Sequence, residues 1–167
     1  SRLLTDQLTG LSNRTAALRR IEDRILGQRR SGDPRPFALL FIDADDFKNI
    51  NDRLGHEVGD RMLRELGLRI RDSVRATDLV ARYAGDEFIV VLSGCGAEEA
   101  DRKRLELQRT VDDVLFEARP GRRLPLAISV GAAIYPQDGE SYEALLATAD
   151  SRMYRDKSRR KQRVQVQ

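Results

Sequence analysis

The amino-acid sequence predicts an α+β fold with a ferredoxin-like core in the order β-αα-β-β-α-β and flanking N- and C-terminal helices. Residues 37–42 form a continuous apolar run, which is typical of a central strand buried on both faces of a sheet. Residues 79–83 and 86–93 are two strand-like runs separated by a short turn, which predicts an antiparallel hairpin. Around these strands, apolar residues recur at helical spacing.

The N-terminal half is predicted to contain three helices and one strand. A first helix over about residues 13–26 begins after Ser12 and ends at Gly27. After strand 37–42, a short helix closes at Gly55 and a longer helix follows it. The apolar residues that these two helices should bury are Phe47, Ile50, Leu54, Val58, Met62, Leu63, Leu66, Ile70 and Val74.

The C-terminal half is predicted to complete the sheet. The hairpin should turn at Ala84 and Gly85, and a charged helix over about residues 97–118 should end at Pro120-Gly121. Residues 124–135 predict one strand, and a last helix should cover about residues 141–157. In this topology the first and third strands are adjacent and antiparallel at the centre of the sheet.

The composition indicates one soluble globular domain over residues 1–167. Hydrophobic residues make up 40% and charged residues 34%, and no apolar run approaches the roughly 20 residues of a membrane span. Acidic and basic residues alternate along most helices and the net charge is only +3, so we expect no nucleic-acid partner. The single cysteine, Cys95, and the lack of a signal peptide predict a cytoplasmic domain without membrane contact, although the parent protein could be membrane-anchored.

Three carboxylates are expected at one edge of the sheet. Asp43 ends the first strand, while Asp86 and Glu87 begin the third, so the strand order brings them together. A hard divalent cation would relieve their repulsion, and Mg²⁺ usually takes one or two carboxylates together with substrate phosphates. The alternative is that Asp43, Asp45 and Asp46 only cap the following helix.

The segment from Asp43 to Lys48 is also a candidate anion site. It runs from a strand into a helix, so backbone N–H groups around Asp46 and Phe47 should be free to bind phosphate. Lys48 adds a positive charge. The basic residues of the last helix either form a solvated helix end or partly face a triphosphate.

Asn51 and Asp60 are candidates for recognising a purine. A carboxylate can accept from N1–H and N2–H of guanine while an amide meets O6 or N3, and adenine lacks the matching donors. The alternative is that Asp60 is an N-cap and Asn51 a helix-surface residue. His56 fits a structural loop residue better than a catalytic base.

Several separated motifs, in the same order, resemble the diguanylate cyclase (GGDEF) family over essentially the whole chain. They are DQLTGLSNR (6–14), DADDFKNIND (43–52), GHEVGD (55–60), RYAGDEF (82–88), SVG (129–131) and ADSRMYRDK (149–157). The family condenses two GTP molecules into cyclic di-GMP, as antiparallel dimers in which each subunit holds one GTP with magnesium. The resemblance therefore implies a palm-type sheet, Mg²⁺ with Mn²⁺ as the alternative ion, a catalytic homodimer, and a parent protein with an N-terminal sensory or receiver domain.

By position, the resemblance assigns a role to each candidate. Asp43, Asp86 and the Ala44 carbonyl would bind metal, and Glu87 would help to hold it or deprotonate the 3′-hydroxyl. Asn51 and Asp60 would read guanine. The other GTP contacts would come from Asp46, Phe47, Lys48, His56, Gly85, Lys157 and Lys161, with Lys48 also stabilising the transition state. Arg75 and Asp78 match an Arg-x-x-Asp inhibitory site, where Arg75 would stack on a guanine of cyclic di-GMP and Asp78 accept from the base.

Two departures from the family pattern affect this site. Residues 160–162 (RKQ) stand where the family often has Gly-Arg-Asn, so Lys161 keeps a positive charge without the guanidinium fork, which predicts weaker GTP binding. Ala84 replaces the first glycine of the signature. A type I′ turn would strain Ala84 by about 1–2 kcal/mol, whereas a type I turn with a left-handed Gly85 would tolerate it.

Three functions fit the sequence. The first is a Mg²⁺-dependent diguanylate cyclase, and the second is a regulatory module that binds GTP or cyclic di-GMP without turnover. The third is another palm-type enzyme, such as an adenylate cyclase. The guanine-selective pair speaks against the third, and the retention of every acidic residue favours the first.

Overall fold

The computed structural model describes residues 2–166, with side chains described for residues 3–162. As predicted, the described chain is an α+β fold, in which five α-helices surround an antiparallel sheet of order β2-β3-β1-β6. The strands are β1 (Phe37–Ala44), β2 (Leu79–Ala84), β3 (Glu87–Ser93), β4 (Leu115–Arg119), β5 (Arg122–Pro125) and β6 (Ile128–Tyr135), of which β4 and β5 form a separate hairpin. The helices are α1 (Arg14–Ser31), α2 (Phe47–Leu54), α3 (His56–Asp72), α4 (Ala97–Asp112) and α5 (Tyr142–Val166), after a 3-10 turn over Arg2–Leu4.

β1 is the central strand, and all eight of its residues are buried, as the continuous apolar run predicted. Because side chains alternate across a strand, the two faces of β1 pack against different layers of helix. Ala38, Leu40 and Ile42 join the core beneath α3 and α4, whereas Phe37, Leu39 and Phe41 join the core beneath α1 and α5. The sheet therefore lies between two helical layers.

The register of β1 defines the edge at which the candidate site forms. Asp43 lies opposite Glu87 of β3 on one side and opposite Ser129 of β6 on the other. The Ala44 N–H donates to the Asp86 carbonyl at 3.0 Å. The prediction that the end of the first strand lies beside the start of the third is confirmed.

The first and last helices are longer than predicted. α1 begins as expected, with the Asn13 side chain accepting from the Ala16 N–H at 3.0 Å, but it continues through Gly27 to a left-handed Gly32 (φ 68°). A glycine inside a helix costs only about 1 kcal/mol relative to alanine, so it does not stop a helix that buries Ile21 and Ile25. α5 likewise runs beyond residue 157. None of the described helices is long and apolar enough to cross a membrane.

The prediction for residues 97–135 was partly wrong. α4 ends at Asp112, and the residues expected to extend it form β4, which alternates between exposed and buried positions with Phe116 and Ala118 inside. Pro120-Gly121 is the turn of the β4–β5 hairpin, with Gly121 at φ 77°. Exposed and buried residues alternate over only the five residues of β4, directly after a strongly helical stretch, so the sequence did not indicate a separate strand.

Candidate active site

Asp43 and Asp86 face each other where β1 ends and β3 begins. Asp43 is 8% exposed, and Asp86 is half-buried in the turn between β2 and β3. Burial, followed by the hydrogen bond and the negative charge of Asp43, raises the pKa of Asp86 to about 7. The two carboxyl groups thus share a proton-dependent hydrogen bond, and their repulsion when both are ionised favours a cation between them.

Lys157 of α5 places an ammonium group at this edge. Its Nζ lies 2.6 Å from Asp43 Oδ2. Burial alone would lower the pKa of Lys157, but the hydrogen bond and charge of Asp43 raise it, and Asp45 and Asp86 add to the effect. Lys157 therefore compensates the charge of Asp43 in this structure.

Gly131 of β6 allows α5 to reach this position. A Cβ on Gly131 would lie 2.1 Å from the Ala149 carbonyl oxygen and 2.2 Å from the Met153 nitrogen. Both atoms belong to the backbone of α5, so a side chain at this position would push the helix away from the sheet. The SVG motif is thereby explained by close packing between strand and helix.

Glu87 is near Asp43 but does not complete a metal site with the other two carboxylates. Burial raises the pKa of Glu87, and the charges of Asp43 and Asp150 raise it further. Within the described residues, no group of three or more His, Cys, Asp or Glu side chains is arranged to hold a metal ion. The three carboxylates expected to surround one ion are thus not arranged to do so in this structure. The pair Asp43 and Asp86 still fits Mg²⁺, which usually takes one or two carboxylates and completes its octahedron with water and phosphate.

The loop from β1 to α2 does not simply cap the helix. Asp45 accepts a hydrogen bond from Ser129 Oγ at 2.6 Å and lies 3.4 Å from Arg160 Nε, and burial raises its pKa. Asp46 occupies the N-cap position, but its side chain makes no capping hydrogen bond and instead accepts from Asn49 at 2.6 Å. Among the described residues, Asp46 is the only residue other than glycine with a left-handed φ (62°). Such conformations cluster at functional sites.

The start of α2 presents the groups predicted to bind phosphate. The first N–H groups of a helix have no intrahelical partner, and in α2 they belong to Phe47 and the residues after it. Lys48 is exposed on this helix. His56, expected in a loop, is the exposed first residue of α3.

Asn51 is pressed against Gly59 at the start of α3. Its Oδ1 is buried and has no hydrogen-bond partner, and a Cβ on Gly59 would lie 1.8 Å from it. Phe47 borders the same position, with its Cε2 atom 3.4 Å from that Cβ. Asp60 lies within α3, which begins at His56, so the alternative that Asp60 is an N-cap is wrong.

The signature turn has a different geometry from either type considered above. Ala84 is the last residue of β2 and pairs with Glu87, so the turn residues are Gly85 and Asp86. Positive φ values in the described chain occur at Asp46 and at six glycines, and Gly85 is not one of them. Ala84 is therefore unstrained, and Gly85 does not adopt the left-handed conformation that the type I alternative required. Arg82 stabilises the turn by donating to the Gly85 carbonyl at 3.0 Å and pairing with Asp6 at 3.2 Å.

A cavity of about 770 Å³ opens beside the phosphate loop, between α2, the β4–β5 hairpin and α5. We call it the α2–hairpin cavity. Its lining includes the predicted residues Asp46, Lys157 and Lys161 but neither Asn51 nor Asp60. The predicted phosphate residues Phe47 and Lys48 also lie outside the lining, and Phe47 borders Asn51 beside Gly59.

Comparison with known proteins agrees with this architecture. The family model described as "Diguanylate cyclase, GGDEF domain" matches residues 3–163. The chain belongs to the GGDEF domain family. Diguanylate cyclase DosC of Escherichia coli (strain K12) is 37% identical over 161 residues, covering 96% of this chain and 34% of DosC. Cyclic di-GMP phosphodiesterase NbdA of Pseudomonas aeruginosa is 39% identical over 153 residues, covering 92% of this chain and 19% of NbdA.

A solved structure supports the same conclusion about the fold. The crystal structure of the GGDEF domain of PA1120 (YfiN or TpbB) from Pseudomonas aeruginosa matches with a TM-score of 0.83 and 35% identity, covering 90% of this chain and 92% of that chain. By contrast, the chain spans about a third of the length of DosC and about a fifth of that of NbdA. The activities in those names belong to longer proteins.

In this GGDEF domain, the Arg-x-x-Asp pair centres on a buried carboxylate, Asp78, that accepts hydrogen bonds at both of its oxygens. Asp78 is 3% exposed, and its Oδ2 accepts from the Arg75 N–H at 2.9 Å and from Arg75 Nε at 3.3 Å. Its Oδ1 accepts from the Ser93 N–H at 3.1 Å, while Arg75 Nη2 donates to the Ser93 carbonyl at 2.7 Å. Asp78 therefore orients the exposed Arg75, and both of its oxygens already accept hydrogen bonds from the protein.

Several residues that shape the GGDEF site were not found from the sequence. Gly59 and Arg82 lie inside the quoted motifs, where a glycine beside Asp60 and a cation before the signature were available signals. Asp156 also lies inside a quoted motif, beside Lys157, but its contacts could not be found from the sequence: it is buried and accepts from Gln108 Nε2 at 2.7 Å and from the Val130 N–H at 3.0 Å. This network joins α4, β6 and α5 next to Lys157, and only folding brings its members together.

Proposed function

We propose that this GGDEF domain is a diguanylate cyclase that condenses two GTP molecules into cyclic di-GMP and releases two pyrophosphates. The observation that carries the proposal is the pair Asp43 and Asp86. Burial, followed by the hydrogen bond and charge of Asp43, raises the pKa of Asp86 to about 7, and the Lys157 ammonium lies 2.6 Å from Asp43 Oδ2. Such a pair is costly in a domain without a ligand and useful for holding a cation beside phosphates. The name and sequence of DosC support the same reaction.

Asp43 and Asp86, with the Ala44 carbonyl, are the proposed ligands of Mg²⁺, and Mn²⁺ shares the same oxygen preference. When bound, the ion would neutralise charge on the phosphates and lower the pKa of the attacking 3′-hydroxyl. Glu87, whose pKa is raised by burial, is the proposed acceptor of the hydroxyl proton. In each transfer, the 3′-oxygen forms a bond to the α-phosphorus of the other GTP, and the bond to the β-phosphate oxygen breaks.

The remaining residues bind and orient GTP. N–H groups around Asp46 and Phe47, with Lys48, Lys157 and Lys161, are proposed to hold the β- and γ-phosphates. Lys157 must then exchange its contact with Asp43 for a phosphate contact when the cation enters. Because each copy would hold one GTP, two copies must face each other for reaction, which makes a homodimer the proposed active form.

Guanine recognition is assigned to Asn51 and Asp60, supported by the fixed Asn51 amide. Since Oδ1 is buried against Gly59, the Nδ2 group is the part of the amide left to meet guanine O6 or N3. Gly59→Ala should displace this amide and raise the KM for GTP by about tenfold. Gly67→Ala on the same helix is the control, because its Cβ would meet the flexible Leu11 side chain at 3.1 Å and Thr9 Cβ at an ordinary 3.8 Å.

Product inhibition is proposed to act through Arg75, supported by its 66% exposed side chain and its fixed orientation. Arg75 can stack on a guanine of cyclic di-GMP and donate to it. Asp78 is proposed to hold Arg75 in place. This differs from the direct base contact expected from the sequence.

The deciding experiment is incubation of the domain with GTP and Mg²⁺, with cyclic di-GMP measured by chromatography. Fusion to a dimeric coiled coil supplies the second copy, and Arg75→Ala removes inhibition by product. We expect cyclic di-GMP from this enforced dimer and none from its Asp86→Ala counterpart. Absence of product from the enforced Arg75→Ala dimer contradicts the proposal, and retained GTP binding in that case would identify a regulatory module.

A further inference from the structure

The α2–hairpin cavity combines apolar and cationic side chains in a way that the proposed GTP contacts do not explain. Its apolar members are Ile50, Leu54, Leu124, Pro125 and Ala127, and its cationic members are Arg53, Arg122, Lys157, Arg160 and Lys161. A volume of about 770 Å³ is within the range of small-molecule sites, which are mostly apolar with a few polar groups that fix orientation.

Among the described residues, three of the five cations in the cavity have no counter-ion. Lys157 pairs with Asp43, and Arg160 with Asp45 and Asp112. Within the described part of the chain, Arg53, Arg122 and Lys161 make no ion pair or side-chain hydrogen bond.

The two carboxylates in the lining balance these charges only in part. Asp45 is bound by Ser129 and Arg160, and Asp46 accepts from Asn49. The cavity therefore presents uncompensated positive charge next to apolar surface, which is complementary to an organic anion.

The cavity is distinct from the proposed guanine site. Ile50, Arg53 and Leu54 of α2 line it, whereas Asn51 is turned against Gly59 of α3. The cavity meets the proposed phosphate site only through Asp46, Lys157 and Lys161. A ligand in it would adjoin the triphosphate end of GTP, not the base.

The wall formed by the β4–β5 hairpin is held in place by several contacts. Arg61 of α3 donates to the carbonyls of Glu117 and Ala118 at 2.6 and 3.0 Å, and its guanidinium lies 5.1 Å from the Phe116 ring centroid. Arg119 reaches back to the Leu54 carbonyl at 3.4 Å. Arg122 is thus presented to the cavity by an anchored strand.

We propose that the α2–hairpin cavity is a second binding site, which takes a small organic anion with a flat apolar body. The body covers the apolar members, and the anionic group binds Arg122 together with Arg53 or Lys161. This binding does not depend on cyclase activity. Its competition with GTP rests on the proposed function, because the two ligands would share Lys157 and Lys161.

The test uses anilinonaphthalene sulfonate, an aromatic anion whose fluorescence rises on binding, titrated into the whole domain. We expect saturable binding at one site, and Arg122→Ala should weaken it at least about fivefold through the lost charge-assisted contact. Arg123→Ala is the matched control, since it removes the same charge from the next hairpin residue, which does not line the cavity. It should change the affinity by less than about twofold.

Two further measurements locate the ligand and establish the charge requirement. The neutral analogue N-phenylnaphthylamine should bind more weakly than the anion, and amide NMR shifts should move at Ile50 and Leu124 more than at Asp60. Equal weakening by the two arginine variants, no effect of Arg122→Ala, or stronger binding of the neutral analogue would overturn the proposal. None of these readouts uses GTP or turnover, so a failure of the cyclase assay leaves them interpretable.

Discussion

Asp43 and Asp78 are both buried aspartates in strand-end positions, but their surroundings differ. Asp78 has both oxygens occupied by hydrogen bonds from Arg75 and from the Ser93 N–H. Asp43 faces a second carboxylate, Asp86, and is compensated by the ammonium group at the end of one long side chain, Lys157. The Lys157 side chain can rotate away from Asp43, whereas the backbone N–H groups that bind Asp78 are fixed by the fold.

The difference separates an internally satisfied carboxylate from one that favours an added cation. Burying a charge is tolerated when fixed donors replace water, and this stabilises the loop between α3 and β2 at Asp78. At Asp43 and Asp86 the two charges oppose each other, so the ligand-free domain is destabilised locally while a cation gains affinity. The same residue type thus serves stability at one site and is suited to ligand binding at the other.

The largest effect is expected for Asp86→Asn. It should lower cyclic di-GMP synthesis at least about a hundredfold, because the cation contributes several kcal/mol to the transition state. The variant should also have a higher melting temperature at pH 8, since the repulsion with Asp43 is removed. Activity and thermal unfolding measured on the same preparation test both parts. A lower melting temperature would contradict this, because it would mean that Asp86 stabilises the fold as Asp78 does.

The pH dependence of metal binding tests the same pair. Asp86 has a pKa of about 7 in the folded domain against 3.8 for an ordinary aspartate, so its protonated form stabilises the fold fully below about 3.8 and this stabilisation is lost as the pH rises through 7. Mg²⁺ must displace that proton, so its apparent affinity should rise about tenfold per unit up to pH 7 and then level off.

Titration calorimetry with Mg²⁺ at pH 6, 7 and 8 measures this dependence. Asp86→Asn is the control, in which the slope should disappear. An affinity that does not change with pH in the unmodified domain would contradict the coupling between Asp43 and Asp86.

Asp78→Ala should show the opposite pattern to Asp86→Asn. It leaves the Ser93 and Arg75 N–H groups without an acceptor, so the free energy of unfolding should fall by about 1–3 kcal/mol. Urea unfolding measures the change, and Asp72→Ala, an exposed carboxylate at the end of α3, should alter it by less than about 0.5 kcal/mol. Equal effects of the two substitutions would show that the contacts of Asp78 contribute little.

The smallest effect is expected for Ala84→Gly, which restores the first glycine of the family signature. Because Ala84 is an unstrained strand residue, kcat should stay within about twofold, and stability should fall by about 0.5–1 kcal/mol from the flexibility of glycine. Steady-state kinetics and urea unfolding measure the two quantities. An increase of kcat well beyond twofold would mean that the Ala84 methyl group obstructs the nucleotide.

The main strands and helices followed from the sequence because each has a strong local pattern. The apolar run of β1 indicated a strand buried on both faces, and Asn13 correctly marked the start of α1. The β4–β5 hairpin was missed because its alternation covers only a few residues beside a charged helix. The end of α1 was misplaced because Gly27 is a weak helix breaker, and the α1 cap requires Gly32.

The candidate site was predicted less completely than the fold. Strand order and motifs were enough to predict that Asp43, Asp86 and Glu87 lie at one edge of the sheet. They could not show that Asp43 is bound by Lys157, nor that the described carboxylates form no preformed three-ligand group. These outcomes depend on side-chain positions across segments more than a hundred residues apart, which no local period encodes.

The sequence by itself determined the family, the order of the elements and the identities of the acidic and basic residues, since these are carried by short motifs and periodic apolar positions. Only the tertiary structure decided that both oxygens of Asp78 accept hydrogen bonds from the protein, that Ala84 lies in a strand, and that Arg122 lines a cavity with Lys157. The physical reason is that satisfaction of a charged group depends on which donors packing brings within about 3 Å. Packing is a property of the folded chain.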